Sequence, residues 1–517
     1  MNNYDERPIM SLLNDSIRQH WNKTALSNYG TDVSYTYEEL YQNTLYMHEI
    51  LRSHGIVKGD KIAICDKNCA AWAMAYLGAL SYGCVLVPLL SDFKKEQVEN
   101  LVEHSETKLV FSSLYDKING LECINLHTLF NVPKDKKPQV SIDNVCLQDG
   151  NSEDLAVISY TSGSTGNPKG VMLPLRSLWS NVWYGRRIYA AGLTSDKNFM
   201  NMLPLAHMFG QTFEFLFAIS SGCTIYHISR LPSPKYILKA FQDIQPYIVI
   251  TVPLIVEKII RTKVFPMLNT TRMRLLCHIP FVNKLIYRKI RCSLEEAFGM
   301  HFHEVVFGGA GASKDIEDFL IDKLRFRFTS GYGMTECGPL ISFSHYDNHP
   351  HYSCGCPCDR MEVKILSDNP EKEPGEIICR GTNLMIGYYK NTEATKEAID
   401  EEGWFHTGDL GTIDSEGHIF IRGRKKNMLL SANGQNIYPE EIESVITKYT
   451  NIDECIVVQR EHKLIALLYA PGYELTNETR TLINSSLPRY AQIQAFEFRD
   501  EEFQKTPKRN IKRFLYK

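Results

Sequence analysis

Helical patterns alternate with short apolar strands through the first 300 residues, and this alternation restricts the chain to an α/β architecture with parallel strands. Residues 61–65, 108–112, 156–160 and 247–252 read as strands, and residues 95–103 and 236–242 as helices. Residues 70–90 carry no charge and are long enough to span a bilayer. Tyr82-Gly83 interrupts that stretch, so residues 70–81 read as a buried helix and residues 84–87 as a buried strand ended by Pro88. From Glu362 the texture changes to short alternating strands with glycine turns, at residues 362–366, 375–379, 411–413 and 418–422. That is the pattern of a small antiparallel sheet or barrel. A last segment follows Gly423-Arg424-Lys425-Lys426 and opens a helix at Pro439, with Glu440 and Glu441 in its first turn. The expectation is an α/β chain: a large N-terminal domain over 1–424, made of α/β subdomains and a small β-barrel-like unit, and a small α+β domain over 425–517.

Lys plus Arg total 57 and Asp plus Glu total 60, a formal charge of −3. This balance excludes a general nucleic-acid binder, which carries a basic surplus. The start, MNNYDERPIM, lacks the charged-then-apolar pattern of a signal peptide, and the 14 cysteines are scattered. Reduced thiols and a cytoplasmic location are expected. Cys354, Cys356 and Cys358 alternate along an extended chain, so their side chains point to opposite faces and a shared metal is disfavoured.

The richest chemistry lies in Tyr160-Thr161-Ser162-Gly163-Ser164-Thr165-Gly166-Asn167-Pro168-Lys169-Gly170, between two apolar strands. Its glycines let the backbone wrap closely around a ligand, and its hydroxyls and Lys169 are donors for phosphate oxygens. It is not a Walker A loop, because Gly170 follows Lys169 and the glycine spacing differs.

This loop resembles the phosphate-binding signature of the adenylate-forming superfamily, which includes acyl-CoA ligases, luciferases and the adenylation domains of peptide synthetases. Further segments resemble the family's motifs in the right order. They are Phe307-Gly308-Gly309-Ala310, Gly331-Tyr332-Gly333-Met334-Thr335-Glu336, residues 403–411 around Asp409, residues 421–426, Asn433-Gly434-Gln435-Asn436-Ile437-Tyr438-Pro439, and Leu487-Pro488-Arg489-Tyr490.

The resemblance implies ATP, Mg²⁺ and coenzyme A as cofactors. It implies nucleotide contacts from Thr161, Ser162, Gly163, Ser164, Thr165, Gly166, Lys169, Gly309, Tyr332, Gly333, Met334, Thr335, Asp409 and Arg424. Thr335 would bind the α-phosphate and Glu336 the metal, with Thr335, Glu336, Lys169 and His207 as the catalytic set. Asp409 suits the ribose hydroxyls, because an ionised carboxylate is acceptor-only. Tyr332 would stack on adenine. Lys426 falls at the family's hinge, Gly434 on its pantetheine tunnel, and residues 425–517 on its mobile lid. The implied reaction converts a carboxylate, a poor electrophile, into an acyl-adenylate with release of pyrophosphate, and a thiol then displaces AMP. Charge builds at phosphorus in the first step, so fixed donors and a metal are needed there.

The chain departs from the family near its end. The alignment of Thr506-Pro507, Ile511 and Arg513 places Asn510 where a catalytic Lys is expected, with Lys508, Arg509 and Lys512 as the nearby substitute cations. The stretch Leu203-Pro204-Leu205-Ala206-His207-Met208-Phe209-Gly210 has no Asp to pair with a substrate amine, so it resembles ligases of apolar acids rather than of amino acids. His207 either orients the carboxylate or is a core histidine. Residues 258–294 hold nine basic residues and no acidic one, and residues 279–291 read as an amphipathic basic helix. They read either as a peripheral contact at the inner membrane face, over 258–291, or as a solvated basic face. The leading expectation is a medium- or long-chain fatty acyl-CoA ligase. The alternatives are a ligase that hands the acyl group to an acyl-carrier protein, and a nucleotide- or acyl-binding protein with weak turnover because of Asn510.

Overall fold

The computed structural model describes residues 8–161, 168–229, 234–309, 311–430, 436–450, 452, 454–460, 463–505 and 511–516. Its largest sheet has eight strands in the order Gly387–Tyr388, Lys169–Pro174, Leu155–Thr161, Val85–Leu89, Lys61–Cys65, Leu109–Phe111, Leu121–Ile124 and Lys117–Ile118. The middle strands run parallel, and Lys169–Pro174 folds back antiparallel on Leu155–Thr161. The uncharged stretch supplies two central pieces. The helix Ala70–Tyr82 is almost wholly buried and ends at Gly83, which adopts φ 89°. Every residue of the following strand Val85–Leu89 is buried. Both are apolar all round because helices and sheet cover them on every side. Among the described residues no helix is long and apolar enough to cross a membrane.

A second parallel sheet pairs Ile248–Thr251, Glu304–Phe307 and Phe328–Ser330, with Thr251, Phe307 and Ser330 level at their carboxyl ends. A third sheet joins Asn198–Asn201, Thr224–His227, Thr24–Asn28 and Ser34–Thr36. The small β unit is a four-stranded antiparallel sheet of Met361–Leu366, Gly375–Gly381, Phe405–Ile413 and Ile419–Arg424. The third of these is longer than the expected 411–413. Asp409 pairs with Arg424 in the ladder, while Gly408 sits at a register shift against the neighbouring strand and adopts φ 71°.

Beyond Arg424 the chain builds its own core from Ile437, Ile442, Ile446, Val457, Leu468 and Ile483, among others. The strands Glu454–Arg460, Lys463–Tyr469 and Ala495–Arg499 form a sheet beside the helices Pro439–Tyr449 and Asn477–Ser485. The tail is tied to this unit by Arg513, whose Nη1 donates to Glu443 Oε1 at 2.7 Å while Nη2 bonds Oε2. Glu443 also accepts from the Val457 amide at 2.7 Å. Gly434 and Asn510 lie outside the described residues.

Arg513→Ala would leave the Glu443 carboxylate buried without its cation. Native-state hydrogen exchange in the helix Pro439–Tyr449 should then show a loss of about 3 kcal/mol of local stability. A loss under about 1 kcal/mol, the level of an exposed pair, would contradict this account of the tail.

Candidate functional site

Three expected site loops leave the carboxyl ends of strands, at Thr161, Phe307 and Ser330. In open α/β sheets this is the side on which ligands bind. Thr161 is paired in register with Lys169, so the glycine- and hydroxyl-rich segment is the connection of an antiparallel hairpin. Ser162, Gly163, Ser164, Thr165 and Gly166 lie outside the described residues, as does Ala310.

Lys169 Nζ stands 4.6 Å from the centre of the Tyr388 ring. The Tyr388 hydroxyl donates to Glu336 Oε1 at 3.0 Å. Tyr388 therefore bridges the cation, over its ring face, and the buried carboxylate, at its hydroxyl, beside the hairpin. Tyr388 reaches it from the strand that adds to the sheet's edge, opposite Val171. Burial and the Glu336 charge push the Tyr388 hydroxyl above its usual range, so it stays a donor. Glu336 and Thr335 lie in the short turn Thr335–Cys337. Gly333 is required just before it, because a Cβ there would come within 2.2 Å of the Pro339 carbonyl oxygen.

A second constellation surrounds Asp409, which is buried. Its Oδ2 accepts from the Tyr332 hydroxyl at 2.7 Å, and Arg424 Nε forms an ion pair with Oδ1 at 2.7 Å. Its amide donates to Thr407 Oγ1 at 3.0 Å. Burial raises the Asp409 carboxyl above the ordinary aspartate range, with Arg424 and Tyr332 opposing it. Tyr332 thus commits its hydroxyl to Asp409 while its ring is buried.

Sequence reasoning missed Glu376. Its Oε2 accepts from Lys425 Nζ at 2.8 Å and meets His406 Nδ1 at 3.3 Å, and its Oε1 accepts from the Gly408 amide at 3.2 Å. Burial raises its carboxyl, but Lys425 and His406 outweigh this and hold it below the usual range. Glu376 therefore fixes the backbone next to Asp409 and clamps Lys425, the neighbour of Lys426. Tyr388 was missed as well. The sequence signals were a Glu directly after the strand-opening Gly375 and a Gly-Tyr pair at 387–388, neither of which states its partner.

The third side is built by the turn at Leu203–Phe209. His207 is half-buried, with its amide donating to the Pro204 carbonyl at 2.9 Å. Phe209 lies flat against Gly308, where an added Cβ would fall 2.1 Å from a ring carbon. Gly309 follows at φ 81° and is exposed. The turn leads into a wide helical segment with π geometry, Gly210–Leu216, every residue of which is buried. Within it, Glu214 Oε2 accepts from Asn201 Nδ2 at 2.7 Å and from the amides of Met202 and Leu203 at 3.1 and 2.9 Å. Burial pushes this carboxyl well above the usual range. Asn201 also accepts from His227 Nδ1 at 2.9 Å, and burial lowers that imidazole to about 3, so it is neutral.

Glu336 belongs to none of the clusters of three or more metal-capable side chains among the described residues, and neither do Cys354, Cys356 and Cys358. One such cluster is His303, Glu304 and His345, but both His345 nitrogens are engaged, at 2.8 Å with Glu304 and 2.9 Å with the Ile188 carbonyl.

Residues 13–389 match the family model described as AMP-binding enzyme. The chain is 27% identical over 457 residues to the peroxisomal long chain acyl-CoA synthetase 6 of Arabidopsis thaliana, a match over 78% of this chain but only 63% of that protein. It is 24% identical over 551 residues to the long-chain-fatty-acid–CoA ligase of Bacillus subtilis, covering 96% and 91% of the two chains. Its fold matches that of the Bacillus subtilis O-succinylbenzoate coenzyme A synthetase solved with AMP, with a TM-score of 0.79, 22% identity and coverage of 99% and 98%. The same enzyme has been solved with ATP and a magnesium ion.

The contact between Phe209 and Gly308 gives a structural test. Gly308→Ala should lower stability by about 1–3 kcal/mol in urea unfolding, because the ring must leave its seat. In the Phe209→Ala background the same change should cost far less, and strict additivity of the two would refute the contact.

Proposed function

The chain belongs to the AMP-binding enzyme family, and on that premise we propose that it activates a fatty acid with ATP through an acyl-adenylate and transfers the acyl group to coenzyme A. The observation that carries this reading is the pairing of two constellations at the strand ends. One presents Lys169, Tyr388 and Glu336 beside the phosphate hairpin, and the other presents Asp409 held by Tyr332 and Arg424. The first suits a polyphosphate and the second a ribose.

In this mechanism Thr161, Ser162, Ser164, Thr165 and Lys169 donate to phosphate oxygens, with Gly163 and Gly166 letting the backbone close on them. Lys169 bears on the charge that develops as the carboxylate attacks the α-phosphorus. Thr335 binds the α-phosphate. Glu336 would hold Mg²⁺ through the hard oxygen that ion prefers, and among the described residues it belongs to no cluster of metal-capable side chains. Bound there, the metal neutralises phosphate charge. Asp409 accepts from the ribose hydroxyls, Arg424 keeps it oriented, and Tyr332, Gly333, Met334 and Gly309 frame the nucleoside. His207 orients the acid's carboxylate, and the run Phe209–Ile219 lines the pocket for its chain with its aromatic and aliphatic side chains. The absence of an Asp in residues 203–210 and the similarity to long-chain ligases support a fatty acid over an amino acid.

Residues 1–424 form the adenylating body and residues 425–517 the lid in this proposal. Lys426 acts as the hinge between half-reactions, and Gly434 leaves room for the pantetheine arm. Asn510 occupies the place of a cation that would assist adenylation, so the first step is slow for the family.

Purified protein with ATP, Mg²⁺ and a panel of saturated fatty acids should release pyrophosphate, and with coenzyme A it should form the thioester. Glu336→Gln should cut turnover by about a hundredfold. Asn510→Lys should raise pyrophosphate release. Absence of acid-dependent pyrophosphate with every acceptor would overturn the proposal, and thioester formation only on an acyl-carrier protein would replace coenzyme A as acceptor.

Asp409 also sets a pH dependence. Its carboxyl is raised, so it protonates on acidification earlier than an ordinary aspartate and loses acceptor capacity for ribose. AMP affinity measured by calorimetry should fall as pH drops toward the carboxylate range, and Asp409→Asn should bind weakly with that limb of the profile gone.

A further inference from the structure

Residues 258–294 concentrate positive charge, with nine basic residues and no acidic one. The segment leaves the parallel sheet at Thr251, whose carbonyl accepts from the Gly308 amide, so it rises from the same edge as the candidate site. Its root is fixed inward. Glu257 accepts from the Ser313 amide at 2.7 Å, and Arg261 pairs with Asp315 at 2.9 Å. Beyond the root the chain forms two helices, Thr271–His278 and Val282–Ala297.

The second helix packs Ile286, Tyr287, Ile290 and Leu294 against the core, but the end of the first helix and the start of the second leave their apolar side chains uncovered. The first has no buried residue, and the second buries only Ile290 and Leu294. Large apolar side chains gather at the turn between them instead. Phe281 is 75% exposed, Leu275 68%, Leu285 65% and Ile279 48%. The Leu285 amide donates to the Phe281 carbonyl at 3.1 Å, so these two residues share one helical turn. Phe281 adopts φ 70°, a left-handed conformation unfavourable for a residue with a side chain, and that backbone presents its ring outward.

Exposed cations flank this apex. Arg272, Arg274, Lys284, Arg288 and Lys289 are all exposed, and Lys284 Nζ lies 5.7 Å from the centre of the Phe281 ring. Lys263 joins Lys235 and Lys239 in a shallow surface depression nearby. Of the acids around the segment, Asp243 pairs with Lys239, Asp315 with Arg261 and Glu295 with Arg291, Glu257 accepts from Ser313, and Glu296 is exposed near the far end of the second helix.

From this geometry we infer that the turn between the two helices docks on the surface of an anionic phospholipid bilayer. Phe281, Leu285, Leu275 and Ile279 enter the boundary between headgroups and acyl chains, and the flanking cations face the lipid phosphates. Apolar residues on a projecting turn with cations around them match a soft anionic interface, where apolar burial and charge attraction add. The inference stands on exposure and charge alone and does not need the fatty-acid reading. If that reading also holds, docking brings the site's edge near the phase into which long-chain acids partition.

Vesicle co-sedimentation of the full chain tests it. The protein should pellet with vesicles of phosphatidylcholine and phosphatidylglycerol at low salt, stay in solution with phosphatidylcholine alone, and be released by high salt. Phe281→Ser with Leu285→Ser should lower the partition coefficient by roughly tenfold or more, and Arg288→Glu with Lys289→Glu by a similar factor. Leu275→Ser serves as a separate check, and because all these positions are exposed, unchanged thermal unfolding confirms that the variants fold. Wild-type protein that ignores anionic vesicles at low salt, apex variants that pellet as well as wild type, or equal binding to both vesicle types would each overturn the inference.

Discussion

The carboxylate of Asp409 is buried between the Tyr332 hydroxyl and the Arg424 guanidinium, and three parts of the molecule meet there. Tyr332 follows the last strand of the parallel sheet, Asp409 belongs to the small antiparallel sheet, and Arg424 ends that sheet where the C-terminal unit begins. A buried carboxylate is costly unless its lone pairs are met, so these contacts hold the three parts in one arrangement. Glu376 repeats the device one step away by joining Lys425, His406 and the Gly408 amide. Together the two acids fix the backbone around Asp409 and the start of the C-terminal unit.

The hairpin side of the candidate site depends on backbone geometry. Phe307 and Ser330 end level in one parallel sheet, and Thr161 ends a strand of the eight-stranded sheet, so each loop leaves a carboxyl end. Where these loops approach other backbone or rings, only glycine fits, as at Gly333 against Pro339 and Gly308 against Phe209. The side chains then complete the chemistry, with Tyr388 bridging Lys169 and Glu336. On the third side, buried Glu214 ties the amides of Met202 and Leu203 and so shapes the turn that carries His207.

Much of this was legible in the residues. The α/β alternation, the buried character of residues 70–90 and the four short antiparallel strands follow from hydrophobic period and glycine placement, which are local properties. The candidate site segments were legible as ordered motifs through their resemblance to a nucleotide-binding family. Glu376, Tyr388, Phe209 and Glu214 were not, since each acts on a partner distant in sequence.

What the sequence by itself determined was the class of fold, the order of the site segments and the excess of positive charge over residues 258–294. Only the tertiary structure decided that the Tyr332 hydroxyl meets Asp409, that Lys425 rather than Lys426 is clamped by Glu376, and that Phe281 and Leu285 stay uncovered. The reason is physical. Period and propensity act over a few neighbouring residues, whereas pairing a buried charge or covering an apolar face depends on which distant surface the completed fold brings against it.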